Sequence, residues 1–172
     1  MIEELKSLEE LVAEAEKQGI SLSELTISLQ AKSMKTTPDV LWKKMEDNLA
    51  VMRLSAKNGM EETSSASGLC GGFAKKLDNH KVSVLGNVAH KAAIYALAIA
   101  EHNACMGRIV ASPTAGSCGI LPGVLLALGD CCGATDEDLV KGLFNAGAVG
   151  MVIAQNASHV PLNFFFTLIH IF

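Results

Sequence analysis

Residues 111–123 constrain the fold of this chain more than any other stretch. They place Pro113, Pro122, three glycines and the hydroxyls of Ser112, Thr114 and Ser117 between two apolar helical patterns, with no charged residue among them. An ordinary surface connection would be polar. An uncharged one can sit inside a protein with its backbone N–H groups facing a guest. Glycine lets a backbone approach that guest closely, and the amides that open the following helix suit a carboxylate or phosphate. The plainer reading is a buried turn in which Thr114 or Ser117 caps a helix.

The rest of the chain reads as helices. Leu8, Leu11, Val12 and Ala15 recur at helical spacing, and Gly19 supplies a stop. Ser21 with Glu24 forms a capping-box pattern at the start of a second helix that runs to about Lys35. Thr37 and Pro38 then open a third helix, with proline at its first position, reaching Asn58 and Gly59. Beyond it lies a loop rich in hydroxyls and in glycine, with Gly68, Gly71 and Gly72 close together. Residues from Gly86 to about Met106 are apolar almost all round, which predicts a helix buried by neighbours on several sides. A further buried helix is expected from Pro122 to Leu128, ending near Gly129. Asp136, Glu137 and Asp138 place acids in the first turn of a last helix that continues to Ala154, where they favour its dipole. No period-two strand pattern competes, and no tandem repeat is visible. The expected fold is all-α, a multi-helix catalytic-domain fragment with buried Ala/Gly-rich helices, forming a single helical domain over 1–172.

Composition narrows the function. With 49% hydrophobic and 19% charged residues in 172, the chain can bury one core and has little polar surface to spare, so a partner surface is expected. A net charge of −4, no basic stripe, one Trp and one Tyr argue against a nucleic-acid partner. The N-terminus lacks a basic region followed by an apolar run, which predicts a cytoplasmic protein. The apolar stretch from Val160 to Phe172 is shorter than the roughly 20 residues of a spanning helix and contains Asn163 and His170, so no membrane association is expected. Five cysteines without a C-x-x-C pair read as reduced thiols.

Several collinear segments then point to one family. These are Ser67-Gly68-Leu69-Cys70-Gly71-Gly72 with the following Lys75, the alanine-rich run from Ala92 to Asn103, Met106-Gly107-Arg108-Ile109-Val110, the 111–123 segment, and 147–158. Together they resemble the alpha chain of the iron–sulfur L-serine dehydratases, from roughly Ser64 to Ser158. The resemblance implies an L-serine ammonia-lyase, a carbon–nitrogen lyase of amino-acid metabolism and gluconeogenesis. Such an enzyme converts L-serine or a similar small hydroxy amino acid to pyruvate and ammonia with a [4Fe–4S] cluster. An iron with an open position would bind the leaving hydroxyl as a Lewis acid, and a base would remove the α-proton. The expected substrate-binding residues are Ser67, Gly68, Gly71, Gly72, Lys75, Ser112, Thr114, Gly116 and Ser117. The catalytic base is not named by the sequence. A separate beta subunit is the expected partner.

Such a cluster needs three thiolates if one iron stays open. The spacings of Cys70, Cys105, Cys118, Cys131 and Cys132 match no common cluster or zinc pattern, so none is expected to be a metal ligand. The family's cluster cysteines are expected farther along a longer alpha chain. After Ser158 the sequence turns to an atypical apolar tail, 159–172, holding Phe164, Phe165, Phe166 and Phe172. It reads as a truncated or frameshifted end, expected to leave the chain without a cluster and inactive alone, and to drive self-association. The alternative function is a non-enzymatic helical pairing or regulatory subunit that keeps a carboxylate-binding pocket. His80 reads as a solvated loop residue, and His90 and His102 as core or interface histidines. Glu101 stands out as an acid on an apolar helix, because a buried acid needs a partner.

Overall fold

In the computed structural model, residues 7–61, 64–80 and 85–156 are described. They form seven α-helices and a 3-10 turn, with no strand among them. The helices are α1 (Leu8–Gln18), α2 (Leu22–Ser33), α3 (Pro38–Glu61), α4 (Phe73–Asp78), α5 (Gly86–Ala104), α6 (Ile120–Cys132) and α7 (Asp136–Asn156), and the turn is Ala115–Ser117. The all-α expectation holds. The 159–172 tail lies outside the described residues.

Local chemistry sets most helix ends. The Ser7 hydroxyl accepts the Glu10 N–H at 3.1 Å, and Gly19, at φ 68°, ends α1. The Ser21–Glu24 capping box is formed: the Glu24 N–H donates to Ser21 Oγ at 3.2 Å, and the Ser21 N–H donates to the Glu24 carboxylate at 2.7 Å. Thr135 and Asp138 make the same reciprocal pair at the start of α7, with Thr135 Oγ1 accepting the Asp138 N–H at 3.2 Å and Asp138 accepting the Thr135 N–H at 2.9 Å.

Two glycines expected as stops are not stops. The third helix continues through Gly59 to Glu61, and α6 starts at Ile120 and continues through Gly129 to Cys132, where Gly133 at φ 72° caps it. The burial of α5 is also narrower than expected. Ile94, Ala98, Ile99, Glu101 and His102 are buried, while Leu97 is exposed. An alanine-rich helix is apolar on every side, yet it is covered only where neighbours reach it.

The chain divides into two compact units, Met1–Glu46 with Val140–Phe172, and Asp47–Leu139. In the first, Leu11 and Ala15 of α1, Leu25 and Leu29 of α2, and Ala148 and Val152 of α7 form a buried cluster. Trp42 stacks on Phe144 there, with ring centroids 6.2 Å apart.

The second unit is built on close backbone approach. A Cβ at Gly59 of α3 would lie 1.8 Å from the Ala98 carbonyl oxygen of α5. Cβ atoms at Gly119 and Gly123 would lie 2.3 Å from the Ala96 oxygen and 2.7 Å from the Ala92 oxygen. Glycine is required at these points because the space of a side chain is filled by the facing helix. The stretch from Ala115 to Cys132 has the length and apolar composition of a membrane span. Its α-helical part is only 13 residues, which rise about 20 Å against a hydrocarbon core of about 30 Å.

Candidate functional site

The end of α5 organises both loops that the sequence singled out. Glu101 is 4% exposed. Its carboxylate accepts three backbone N–H groups at the start of α4: Gly72 at 3.1 Å, Phe73 at 2.6 Å and Ala74 at 3.3 Å. Gly71 (φ 140°) and Gly72 (φ 76°) adopt left-handed conformations that other residues resist, and these turn the chain so that successive amides converge on one carboxylate. Bonds from N–H groups to an ionised acceptor are strong, and the helix dipole adds to them. Glu101 therefore caps α4 from 28 residues away.

Two residues farther along α5, Asn103 Nδ2 donates to the Ala115 carbonyl at 3.0 Å. One helix end thus holds the glycine loop through Glu101 and the 111–118 segment through Asn103. His102, between them, is buried, and a Cβ at Gly107 would lie 2.2 Å from its imidazole. The ring is packed against the backbone of the turn that follows α5, as expected of a core histidine.

Within 111–118 the hydroxyls are engaged with one another. Thr114 Oγ1 accepts the Ser117 N–H at 3.2 Å, and Ser117 Oγ accepts the Thr114 N–H at 3.3 Å. The two oxygens lie 2.9 Å apart, and Ser117 Oγ is 3.1 Å from the Ser112 carbonyl oxygen. Ser112 is buried, with its hydroxyl 3.4 Å from the Val110 carbonyl oxygen. The Ser112–Pro113 peptide bond is cis. These contacts are those of a capped turn. Gly116 differs: a Cβ there would meet only Thr114 Oγ1, at 3.8 Å, so the turn presents bare backbone to open space.

In the glycine loop, Ser67 Oγ lies 3.1 Å from Ser65 Oγ, and Ser65 Oγ accepts the Cys70 N–H at 3.2 Å. Ser67 and Gly68 are exposed, and Gly68 has φ 72°. Lys75 lies exposed on α4, while the neighbouring Lys76 ammonium stands 5.3 Å from the centre of the Phe73 ring. At the other end of the segment, α6 opens at Gly119 without a side-chain cap, and Pro122 in its first turn has no N–H to satisfy.

The thiols are dispersed. Cys118 is buried and its thiol is pushed up by that burial, whereas Cys70, Cys131 and Cys132 are exposed. Among the described residues no three His, Cys, Asp or Glu side chains converge as metal ligands. These cysteines do not fit a cluster with three thiolate ligands. Two features escaped the sequence. The Asn103–Ala115 bond had no signal, because an asparagine near a helix end is ordinary. Helix α4 had a weak one in Lys75 and Lys76, a step that reads as a solvated helix face.

Comparison with known proteins places the chain. A family described as "Serine dehydratase alpha chain" matches residues 17–160. The chain is 36% identical over 156 residues to the "Probable L-serine dehydratase, alpha chain" of Bacillus subtilis (strain 168), covering 89% of this chain and 52% of that protein. It is 31% identical over 158 residues to the "L-serine dehydratase, alpha chain" of Peptoniphilus asaccharolyticus, covering 90% of this chain and 54% of that protein. The chain therefore spans about half the length of these relatives. No solved structure matches it significantly. With the family matched across most of its length, the chain belongs to the serine dehydratase alpha chains.

Proposed function

We propose that this chain supplies the substrate-binding half of an L-serine ammonia-lyase, an enzyme that eliminates water from L-serine and releases pyruvate and ammonia. The observation that carries the reading is the double anchorage at the end of α5, where Glu101 holds the start of α4 and Asn103 holds the turn at Ala115. Both loops are thereby fixed to one rigid element. The exposed backbone around Gly116 and the uncapped start of α6 offer N–H groups to the substrate carboxylate. Lys75 and the Gly68 turn, both exposed, are proposed to complete the site from the α4 side.

The iron–sulfur cluster that the resemblance implies finds no ligand set in the described cysteines. We infer that its thiolates come from outside these residues and that the chain alone turns over no serine. The proposed partners are a separate beta subunit and further copies of this chain. Ile120, 65% exposed, and Leu69, 80% exposed, support a protein-facing surface on this unit.

Gly116→Ala tests the binding reading cleanly, because the added methyl has room in the free protein. Serine-induced NMR shifts are expected in 67–72 and 112–117 of the unsubstituted chain. In Gly116→Ala they are expected to weaken about tenfold at unchanged melting temperature, since the methyl would occupy the space of the guest. Shifts confined to other residues, or undiminished in Gly116→Ala, would overturn the placement. Binding with no turnover after addition of a beta subunit and a cluster-bearing segment would favour the regulatory alternative.

A further inference from the structure

A cleft of about 460 Å³ lies in the second unit, lined by residues of α3, α5 and α6 and by none of the loop residues described above. Its size is within the range of about 300–1,000 Å³ usual for small-molecule sites. The floor is apolar, with Ala56, Ile94 and Leu126 all buried.

The polar groups around that floor are of two opposite kinds. Lys57 and Lys91 bring ammonium groups, which can only donate. Neither has a carboxylate partner among the described residues; Lys91 Nζ lies 5.0 Å from the centre of the Tyr95 ring. Tyr95 and Asp130 can only accept. The Tyr95 hydroxyl spends its proton on Asp130 Oδ2, and burial, aided by that bond, keeps the phenol protonated well above its usual range. Its oxygen then has lone pairs to offer, as does the second oxygen of Asp130. Glu61 adds another acceptor to the lining. Arg53, also in the lining, is engaged by Asp136 through two bonds of 2.7 and 2.5 Å.

We propose that this cleft binds a free α-amino acid with an aliphatic side chain. Its carboxylate meets Lys57 and Lys91, its ammonium meets Tyr95 Oη and Asp130, and its side chain lies on Ala56, Ile94 and Leu126. A simple anion would leave the acceptors without a donor. An amine alone would face two like charges, and a small polar amino acid would leave the apolar lining, which includes the partly buried Met60, without an apolar partner. The site is separate from the proposed serine site and does not depend on that reading.

The test is titration calorimetry of the whole chain with L-leucine, with amide NMR to locate the response. Saturable binding is expected, with shifts at Ile94, Tyr95 and Leu126. Each of three changes is expected to weaken it at least about tenfold. These are loss of the ammonium (4-methylpentanoate), loss of the carboxylate (leucinamide), and the double substitution Lys57→Gln with Lys91→Gln. Both lysines lie outside the buried core, so the double variant is expected to keep its circular dichroism spectrum and melting temperature. Tyr95→Phe, which removes one acceptor, is expected to weaken leucine severalfold. No binding at about 10 mM leucine, equal binding of 4-methylpentanoate, undiminished binding by the double variant, or shifts confined to 67–72 and 112–117 would each overturn the proposal.

Discussion

The Glu101 carboxylate accepts the Phe73 N–H at 2.6 Å, joining the end of one helix to the start of another across 28 residues of sequence. Because the same carboxylate also takes the amides of Gly72 and Ala74, replacing it leaves three backbone donors without their acceptor. Glu101→Ala is expected to lower stability by about 3 kcal/mol, and Glu101→Gln, which keeps one acceptor oxygen, by about half as much. Urea denaturation measures both. A Glu101→Ala variant within about 0.5 kcal/mol of the parent would mean that α4 holds its place without this cap.

Gly59→Ala is expected to cost about 3 kcal/mol or more, since its Cβ would fall 1.8 Å from the Ala98 carbonyl oxygen and force α3 away from α5. The helix-propensity gain of about 1 kcal/mol does not offset this. Gly119→Ala meets the Ala96 oxygen at 2.3 Å and belongs to the same class. Thermal unfolding followed by circular dichroism distinguishes these variants from Gly116→Ala, which is expected to match the parent.

The Arg53 guanidinium, through its bond, holds the Asp136 carboxyl below the usual carboxylate range. A carboxyl depressed in the folded state stabilises above its unfolded pKa of about 3.9, and the contribution fades as pH falls through the folded value. Both side chains are well exposed, at 44% and 69%, so the pair is worth at most about 1 kcal/mol. Asp136→Asn is therefore expected to lose up to that amount at pH 7 and progressively less as pH falls below about 3.9. A larger loss at pH 7, or one insensitive to pH, would assign Asp136 another role.

Thiol labelling with a chromogenic disulfide is expected to reach Cys70, Cys131 and Cys132 first and Cys118 last, because Cys118 is buried and burial disfavours its thiolate. Mass spectrometry of partly labelled protein gives the order. Rapid labelling of Cys118 would mean that the 111–118 segment opens in solution.

Anaerobic reconstitution with iron and sulfide is expected to leave the chain without a stoichiometric cluster, as its described thiols do not converge. About four irons per chain with the broad visible absorption of a cluster would overturn this expectation.

What could be read from the sequence is what short-range chemistry decides. The Ser21–Glu24 box and the Gly19 stop each depend on atoms within one helical turn, so the order of residue types is enough to place them. The family resemblance is legible for a related reason, since collinear motifs are a property of order alone. The helix end at Gly59 was misplaced because glycine has two uses. It permits a stop, and it also permits another backbone to come within contact distance; Ala98 opposite Gly59 decides for the second. The hydroxyls of Ser112, Thr114 and Ser117 were equally ambiguous, and the folded turn directs them to one another. Glu101 could be recognised as an acid in need of a partner. Its partners are three backbone amides whose convergence requires Gly71 and Gly72 in left-handed conformations and α4 packed beside α5. Only the tertiary structure brings those groups together, because no local pattern encodes which amides a distant carboxylate will meet.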